Sequence, residues 1–291
     1  MPIKTILRLP LLTMLCVMTA QAAPKLPAAI STDPAPNKQY PADLIPLHIP
    51  THGVEVFGTA FVPPGKGPFP VLLFCHGMPG YERNLDILHA ARRAGWVAIF
   101  FNVRGAWGSP GRYSFAGNLE DADAALAYVR DPAHAAALRA DPQRIVLGGH
   151  SFGGALTAMT AAHDHGLIGA IMVSAADMSL VGGMPREQLM ALINGATDGL
   201  AVPSADAMAE DLVASGSSYR FADAAPGLVG TPLLVLSADD GLAPTTDALV
   251  KAIQAAGGHR VTAVHVATDH YWSDRRIRLQ ELIINWLDRL R

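Results

Sequence analysis

The 291-residue sequence contains few cysteines and few charged residues, and each shortage excludes a class of protein. Its two cysteines, Cys16 and Cys75, are too few for a disulfide framework or a four-thiolate zinc site. Charged residues make up only 16% of the chain, and no cluster of lysine and arginine could bind a phosphate backbone. Nucleic acid is therefore not an expected partner. The 50% hydrophobic content excludes a disordered chain and is sufficient for a sizeable core.

The sequence also lacks an apolar run long enough to span a bilayer, which requires about 20 residues. Lys4 and Arg8 precede a shorter apolar stretch over 9–20, and the small-x-small pattern of residues 20–22 follows it. This arrangement is typical of a secretory signal peptide. We therefore expect residues 1–22 to be cleaved after Ala22 and the protein to be exported, to a bacterial periplasm or to the medium. An uncleaved N-terminal anchor is the alternative.

Residues 23–50 contain seven prolines, which remove backbone donors and fix φ. They predict an extended N-terminal arm over the surface, with regular structure from about Val54 and an edge strand over 54–62. We expect the remaining residues, 51–291, to form one domain.

Short, unbroken apolar runs alternate with helix-like stretches through this domain. Such runs are typical of strands that are covered on both faces. They lie at 71–75, 97–101, 144–148, 170–174, 233–237 and 262–266. The alternation predicts a doubly wound α/β fold with a mostly parallel sheet. It is interrupted over 178–230, where a helical pattern predicts a small insertion, the cap, above the carboxyl ends of the strands.

The strongest chemical signal is the sequence Gly-His-Ser-Phe-Gly at 149–153, which has the pattern G-x-S-x-G. It lies between the predicted strand 144–148 and a predicted helix over 153–163. A serine on such a sharp turn is exposed, and the helix N-terminus behind it favours developing negative charge. Ser151 is therefore a candidate nucleophile; the alternative is an incidental serine in a glycine-rich turn.

Together with three further segments, this motif resembles the α/β-hydrolase superfamily. Within it, the likeness is to exported relatives of dienelactone hydrolases and of prolyl-oligopeptidase-type catalytic domains. The further segments are FPVLLFCHGMPG at 69–80, NVRGAWGSPG at 102–111, and PLLVLSADDGLAP at 232–244, followed by DHYWSD at 269–274. The resemblance spans about residues 50–290 and implies an α/β-hydrolase fold with a catalytic triad in the chain order Ser, Asp, His.

The resemblance implies a role for five residues. Ser151 would be the nucleophile, His270 the base, and Asp240 the acid that orients the imidazole. The backbone amides of Met78 and Phe152 would form the oxyanion hole. No metal ion or organic cofactor is implied.

Several neighbouring residues receive other interpretations. Asp239 is the alternative acid, and otherwise we expect it to cap the following helix or to bind loop amides. Arg104 is expected to be structural, and Trp107 to form a pocket wall. His163 and His165 lie together at a helix end, but two histidines without further ligands make a poor metal site.

The sequence therefore predicts a serine hydrolase that cleaves a carboxylic ester of a small molecule through an acyl-enzyme. One alternative is a serine peptidase of prolyl-oligopeptidase type that acts on short peptides or aminoacyl amides. The 269 residues after Ala22 leave no room for the N-terminal propeller of those enzymes, which favours esters or small amides. A non-catalytic binding protein on the same fold is the other alternative. The oligomeric state is left open.

Overall fold

The computed structural model describes residues 26–291 of the chain. The predicted signal peptide, 1–22, lies outside these residues. Within the described range, no helix is both long enough and apolar enough to cross a membrane.

An eight-stranded sheet forms the centre of the domain. Its strands are β1 Asp43–Thr51, β2 Val54–Val62, β3 Phe69–Cys75, β4 Val97–Phe101, β5 Ala140–His150, β6 Gly169–Val173, β7 Leu233–Ser237 and β8 Val261–His265. They lie in the order β1-β2-β4-β3-β5-β6-β7-β8. β2 is antiparallel to both β1 and β4, and all other neighbours are parallel. The predicted mostly parallel α/β architecture is therefore confirmed.

The sheet is packed on both faces, which explains the unbroken apolar runs. Every residue of β4, β6 and β7 is buried. In β3, Leu73 and Cys75 belong to one core cluster, whereas Leu72 and Phe74 belong to the cluster on the other face. Side chains alternate between the two faces of a strand. When both faces are buried, consecutive residues of the strand are therefore all apolar.

Helices cover both faces and fill the segment between β6 and β7. They are α1 Ala28–Ser31, α2 Leu85–Arg93, α3 Phe115–Arg130, α4 Pro132–Ala137, α5 Phe152–His163, α6 Met178–Gly182, α7 Arg186–Asn194, α8 Ala205–Ser215, α9 Phe221–Ala224, α10 Ala243–Ala255 and α11 Arg276–Asp288. The cap, 178–230, contains α6 to α9 and two short 3₁₀ turns. Two of its helices have side-chain caps: Asp177 accepts a backbone amide of α6, and Ser204 accepts one of α8.

Regular structure begins earlier than the expected Val54. The proline-rich arm contains α1 and all of β1 except Thr51, so β1 and not β2 is the edge strand. Leu47 and Ile49 of β1 are buried, whereas Pro46 and Pro50 alternate with them on the exposed face. Proline is tolerated on an edge strand, where no neighbouring strand needs its missing N–H. The arm was predicted as irregular because its prolines obscured this alternation.

A buried ion pair anchors the loop that follows β4. The backbone N and the Nε atom of Arg104 both donate to the Asp121 carboxylate, each at 2.7 Å. Asp121 is fully buried in α3 and also accepts the Thr51 hydroxyl at 2.8 Å. The pair therefore joins this loop to α3 and to the end of β1, which gives Arg104 the structural role expected of it.

We predict that Asp121→Asn lowers the free energy of unfolding by about 2–3 kcal/mol, because Arg104 loses the buried one of its two carboxylate partners and keeps only the half-exposed Glu120. Urea unfolding measures the loss. Asp206→Asn is the control, since Asp206 pairs with Arg186 on the exposed surface and its loss should cost less than about 1 kcal/mol. Equal losses in the two variants would contradict the anchoring role.

Candidate active site

Ser151 lies on the sharp turn between β5 and α5. Its φ of 57° and ψ of −121° are values that non-glycine residues seldom adopt. The flanking glycines allow the turn: a Cβ on Gly149 would lie 2.1 Å from the carbonyl oxygen of Gly153, and one on Gly153 would lie 2.2 Å from that of Cys75. The turn thus packs against the end of β3 and leaves Ser151 half-buried at the carboxyl edge of the sheet.

A histidine and an aspartate from two other strand ends form a hydrogen-bonded pair beside this turn. Nδ1 of His270, after β8, lies 2.8 Å from Oδ2 of Asp240, after β7. The other carboxylate oxygen of Asp240 accepts the backbone amide of Leu242 at 3.0 Å. The Asp240 side chain is only 4% exposed, so water competes little for these contacts.

The surroundings of Asp240 favour its charged form. Burial alone would raise the pKa of its carboxyl group, but hydrogen bonds from His270, from the Leu242 amide and from the Ser174 hydroxyl outweigh that effect. The pKa of Asp240 is therefore lowered below its ordinary value. An ionised carboxylate at Nδ1 holds the proton on that nitrogen and leaves Nε2 of His270 free to accept another.

Buried groups hold this pair in place. Ser174, whose side chain helps to lower the pKa of Asp240, accepts the indole N–H of Trp272 at 3.1 Å. Nε2 of His150 donates to the backbone carbonyl of His270 at 2.8 Å. Sequence reasoning missed Ser174 and Trp272, although a polar residue directly after the apolar strand β6 was a usable signal.

Asp239 has a different partner from the two that the sequence suggested. Its Oδ1 lies 2.9 Å from Nε2 of His265, at the end of β8, and its side chain is 63% exposed. It neither caps α10 nor accepts loop amides, because its carboxylate points to the imidazole on the adjacent strand. The two adjacent aspartates thus serve different histidines.

Ser151, Asp240 and His270 line one cavity of about 360 Å³. Among the described residues, the Ser151 hydroxyl and Nε2 of His270 make no hydrogen bond to each other; such contacts often tighten only when substrate binds. The cap helices α6 and α7 line the same cavity. Its lining residues are Met78, Pro79, Tyr81, Ser151, Phe152, Ala176, Met178, Val181, Met184, Leu192, Gly195, Ala196, Asp240, Leu242, His270 and Tyr271.

Two backbone N–H groups remain available at this cavity. Phe152 is the first residue of α5, so its amide has no acceptor in a preceding helical turn. Met78 lies in the loop after β3. Within the described chain, neither amide donates to a backbone carbonyl. The loops that carry them leave adjacent parallel strands, which is why Met78 and Phe152 reach the same cavity.

Trp107 does not line the cavity, contrary to expectation. Its indole N–H donates to the carbonyl of Pro79 at 2.7 Å, and its backbone N–H donates to that of Gly199 at 2.7 Å. A Cβ on Gly199 would lie 2.8 Å from the indole ring. These contacts place the ring between the Met78 loop and the cap.

The remaining histidine pair is not part of this site. Nε2 of His163 lies 3.0 Å from the Asp123 carboxylate on the exposed surface. Among residues 26–291, no group of three or more histidine, cysteine, aspartate or glutamate side chains could hold a metal ion.

Comparison with known proteins identifies the family. The sequence profile of the alpha/beta hydrolase family matches residues 72–282. The chain belongs to this family. A search of curated protein sequences found no match.

Solved structures of this family share the fold at low sequence identity. The carboxylesterase EstE1, cloned from a metagenomic library, is 22% identical with a TM-score of 0.65, over 87% of this chain and 90% of that one. The acylaminoacyl peptidase of Pyrococcus horikoshii is 17% identical with a TM-score of 0.63, over 85% of this chain and 42% of that one. A Klebsiella pneumoniae protein assigned as a dienelactone hydrolase is 17% identical with a TM-score of 0.56, over 85% and 98%. At these identities the likeness shows the fold alone.

We predict that the protein loses stability as the pH falls below about 6.5. Burial lowers the pKa of His76 and of His150 to about 4, so the unfolded chain binds more protons than the folded one between pH 6.5 and 4. At pH 5 each imidazole should cost about 2 kcal/mol relative to pH 7.5. Urea unfolding at both pH values measures the loss, and His150→Gln should reduce it. A variant with the same pH dependence as the wild type would contradict the prediction.

Proposed function

We propose that this protein is a serine hydrolase that cleaves a carboxylic ester through an acyl-enzyme intermediate. One observation carries the proposal: Ser151, on a strained turn at the N-terminus of α5, lines the same cavity as the hydrogen-bonded Asp240–His270 pair. A serine hydroxyl is a weak nucleophile until a neighbouring base accepts its proton, and this cavity contains both groups.

In the first half of the proposed reaction, Oγ of Ser151 attacks the ester carbonyl carbon while Nε2 of His270 accepts the hydroxyl proton. Asp240 keeps the imidazole in the required tautomer and stabilises the imidazolium that forms. The amides of Met78 and Phe152 donate to the oxyanion of the tetrahedral intermediate. The intermediate then collapses, His270 protonates the departing alcohol, and the acyl group remains bonded to Ser151.

In the second half, His270 accepts a proton from a water molecule, which attacks the acyl carbonyl carbon. Collapse of the second tetrahedral intermediate releases the carboxylic acid and returns the proton to Ser151. The residues of this chain supply a nucleophile, a base and oxyanion donors for both halves, so the balanced reaction consumes only ester and water.

We expect a fluorophosphonate probe to label wild-type protein at Ser151 and not to label Ser151→Ala. The variant should keep its fold, measured by circular dichroism, and lose about 10⁶ in kcat on nitrophenyl esters. Hydrolysis by Ser151→Ala within a few-fold of wild type would reject the nucleophile. Faster cleavage of aminoacyl anilides than of nitrophenyl esters would assign the protein to the peptidases instead.

The adjacent aspartates provide a matched test of the acid. Each binds a histidine at nearly the same distance, 2.8 Å for Asp240 and 2.9 Å for Asp239, but only Asp240 lines the cavity. Asp240→Asn should lower kcat at neutral pH by a factor of about 10⁴, because His270 loses its tautomer and its counter-charge. Asp239→Asn should stay within about threefold of wild type. The reverse result would move the acid to Asp239.

A further inference from the structure

The cavity beside Ser151 is walled mainly by apolar groups. The sheet side contributes Phe152, Ala176 and Leu242. The cap contributes Met178, Val181, Met184, Leu192 and Ala196. A volume of about 360 Å³ lies within the usual range for small-molecule sites. Such walls stabilise a hydrocarbon group by removing its surface from water.

The charges at this cavity are negative or already paired. Asp240 and His270 are the carboxylate and the imidazole that line it, and they bind each other. At its edge, Asp198 accepts the hydroxyl of Tyr81 at 2.6 Å, and Glu82 lines a small adjoining space. No lysine or arginine of the described chain lines the cavity. A carboxylate placed inside would be desolvated without a counter-charge and would face other carboxylates.

A substrate ammonium group, like a carboxylate, would find no free counter-charge inside the cavity. The one carboxylate inside the cavity, Asp240, is buried and its oxygens are occupied by His270 and the Leu242 amide. A buried cation without its own counter-charge is as costly as a buried anion. The lining therefore disfavours substrates with either charge.

The acyl half of the ester is the half that needs this space. The adjoining space between the Met78 loop and Tyr271 is lined by Ser151 and His270 as well, but measures only about 10 Å³. That is room for about one water molecule. The acyl group stays bonded to Ser151 after the alcohol has left, so its chain must occupy the larger cavity, while the small space suits the attacking water.

We propose that the substrate is an ester of a neutral, apolar carboxylic acid whose chain lies under α6 and α7. This inference rests on the proposed ester hydrolysis. Gly195, at the end of α7, lines the cavity with an ordinary φ of −86°. A Cβ there would meet only the carbonyl oxygen of Leu192, at 3.7 Å. A larger side chain at this exposed position would therefore fit the backbone, and because Gly195 lines the cavity we expect it to narrow the space for the acyl chain.

The preference for a neutral acyl chain over a charged one is tested on wild-type protein with substrates of equal chain length. Ethyl octanoate is neutral, monoethyl suberate ends in a carboxylate, and ethyl 8-aminooctanoate ends in an ammonium group. Release of acid is followed in a pH-stat. We expect kcat/KM for octanoate to exceed both others by about 100-fold, equivalent to about 2.7 kcal/mol. Equal or faster cleavage of either charged ester would overturn the inference.

The position of the substrate's acyl chain under the cap is tested by Gly195→Leu, with Gly230→Leu as the matched control. Gly230 is exposed, has no atom within 4 Å of a built Cβ, and precedes β7 at the edge of the sheet away from Ser151. Gly195→Leu should lower kcat/KM for ethyl octanoate at least tenfold and leave ethyl acetate within about twofold. Gly230→Leu should change neither. Unchanged octanoate cleavage, or an equal loss for both esters, would overturn the location.

Failure of this inference and failure of the proposed function are distinguishable by fluorophosphonate labelling. The probe reports an activated Ser151 whatever acyl group the cavity prefers. Wild-type protein that is not labelled would reject the proposed serine hydrolase. Labelled protein that prefers the suberate or aminooctanoate ester would reject only the acyl assignment.

Discussion

The arrangement of the whole site depends on how closely the turn at Ser151 packs against the end of β3. A Cβ on residue 153 would lie 2.2 Å from the carbonyl oxygen of Cys75. Only glycine at this position therefore allows the turn to pack against β3. Because β3 and β5 are neighbours in the sheet, this contact brings the loop after β3 to the start of α5. Met78 and Phe152 therefore line one cavity, and their backbone amides are held in place by the fold. Oxyanion donors need to be held in place before the reaction in this way.

The strand order explains how residues distant in sequence support one pair. β6 lies between β5 and β7, so Ser174, directly after β6, lies between the Ser151 turn and the Asp240 loop. Its hydroxyl accepts the buried indole N–H of Trp272, two residues after His270, and its side chain helps to lower the pKa of Asp240. A buried polar residue from the intervening strand thus lies beside Asp240 and binds the segment that carries His270. Satisfied polar contacts in a dry interior fix side-chain geometry more strongly than exposed ones.

The sequence predicted the features that depend on local pattern. Continuous apolar runs identified the parallel strands, and the G-x-S-x-G turn identified Ser151, because each signal lies within a few residues. Features that depend on which strands are neighbours were not predictable in this way. The pairing of Asp239 with His265 requires β7 beside β8, and the position of Ser174 near Asp240 requires β6 beside β7. β1 was missed for a different reason, since proline is a local signal against strands that an edge position overrides.

The proposed acyl site and one proposed oxyanion donor are connected through Trp107. This residue donates its indole N–H to Pro79, next to Met78, and its backbone N–H to Gly199 in the cap. The backbone amide of Ala201 donates in turn to the carbonyl of Gly105 at 2.6 Å. The cap segment near residue 200 is therefore fastened to the loop that carries one proposed oxyanion donor. Binding energy gained by an acyl chain under the cap acts on a surface joined to that donor, which is the arrangement through which remote contacts can contribute to the reacting centre.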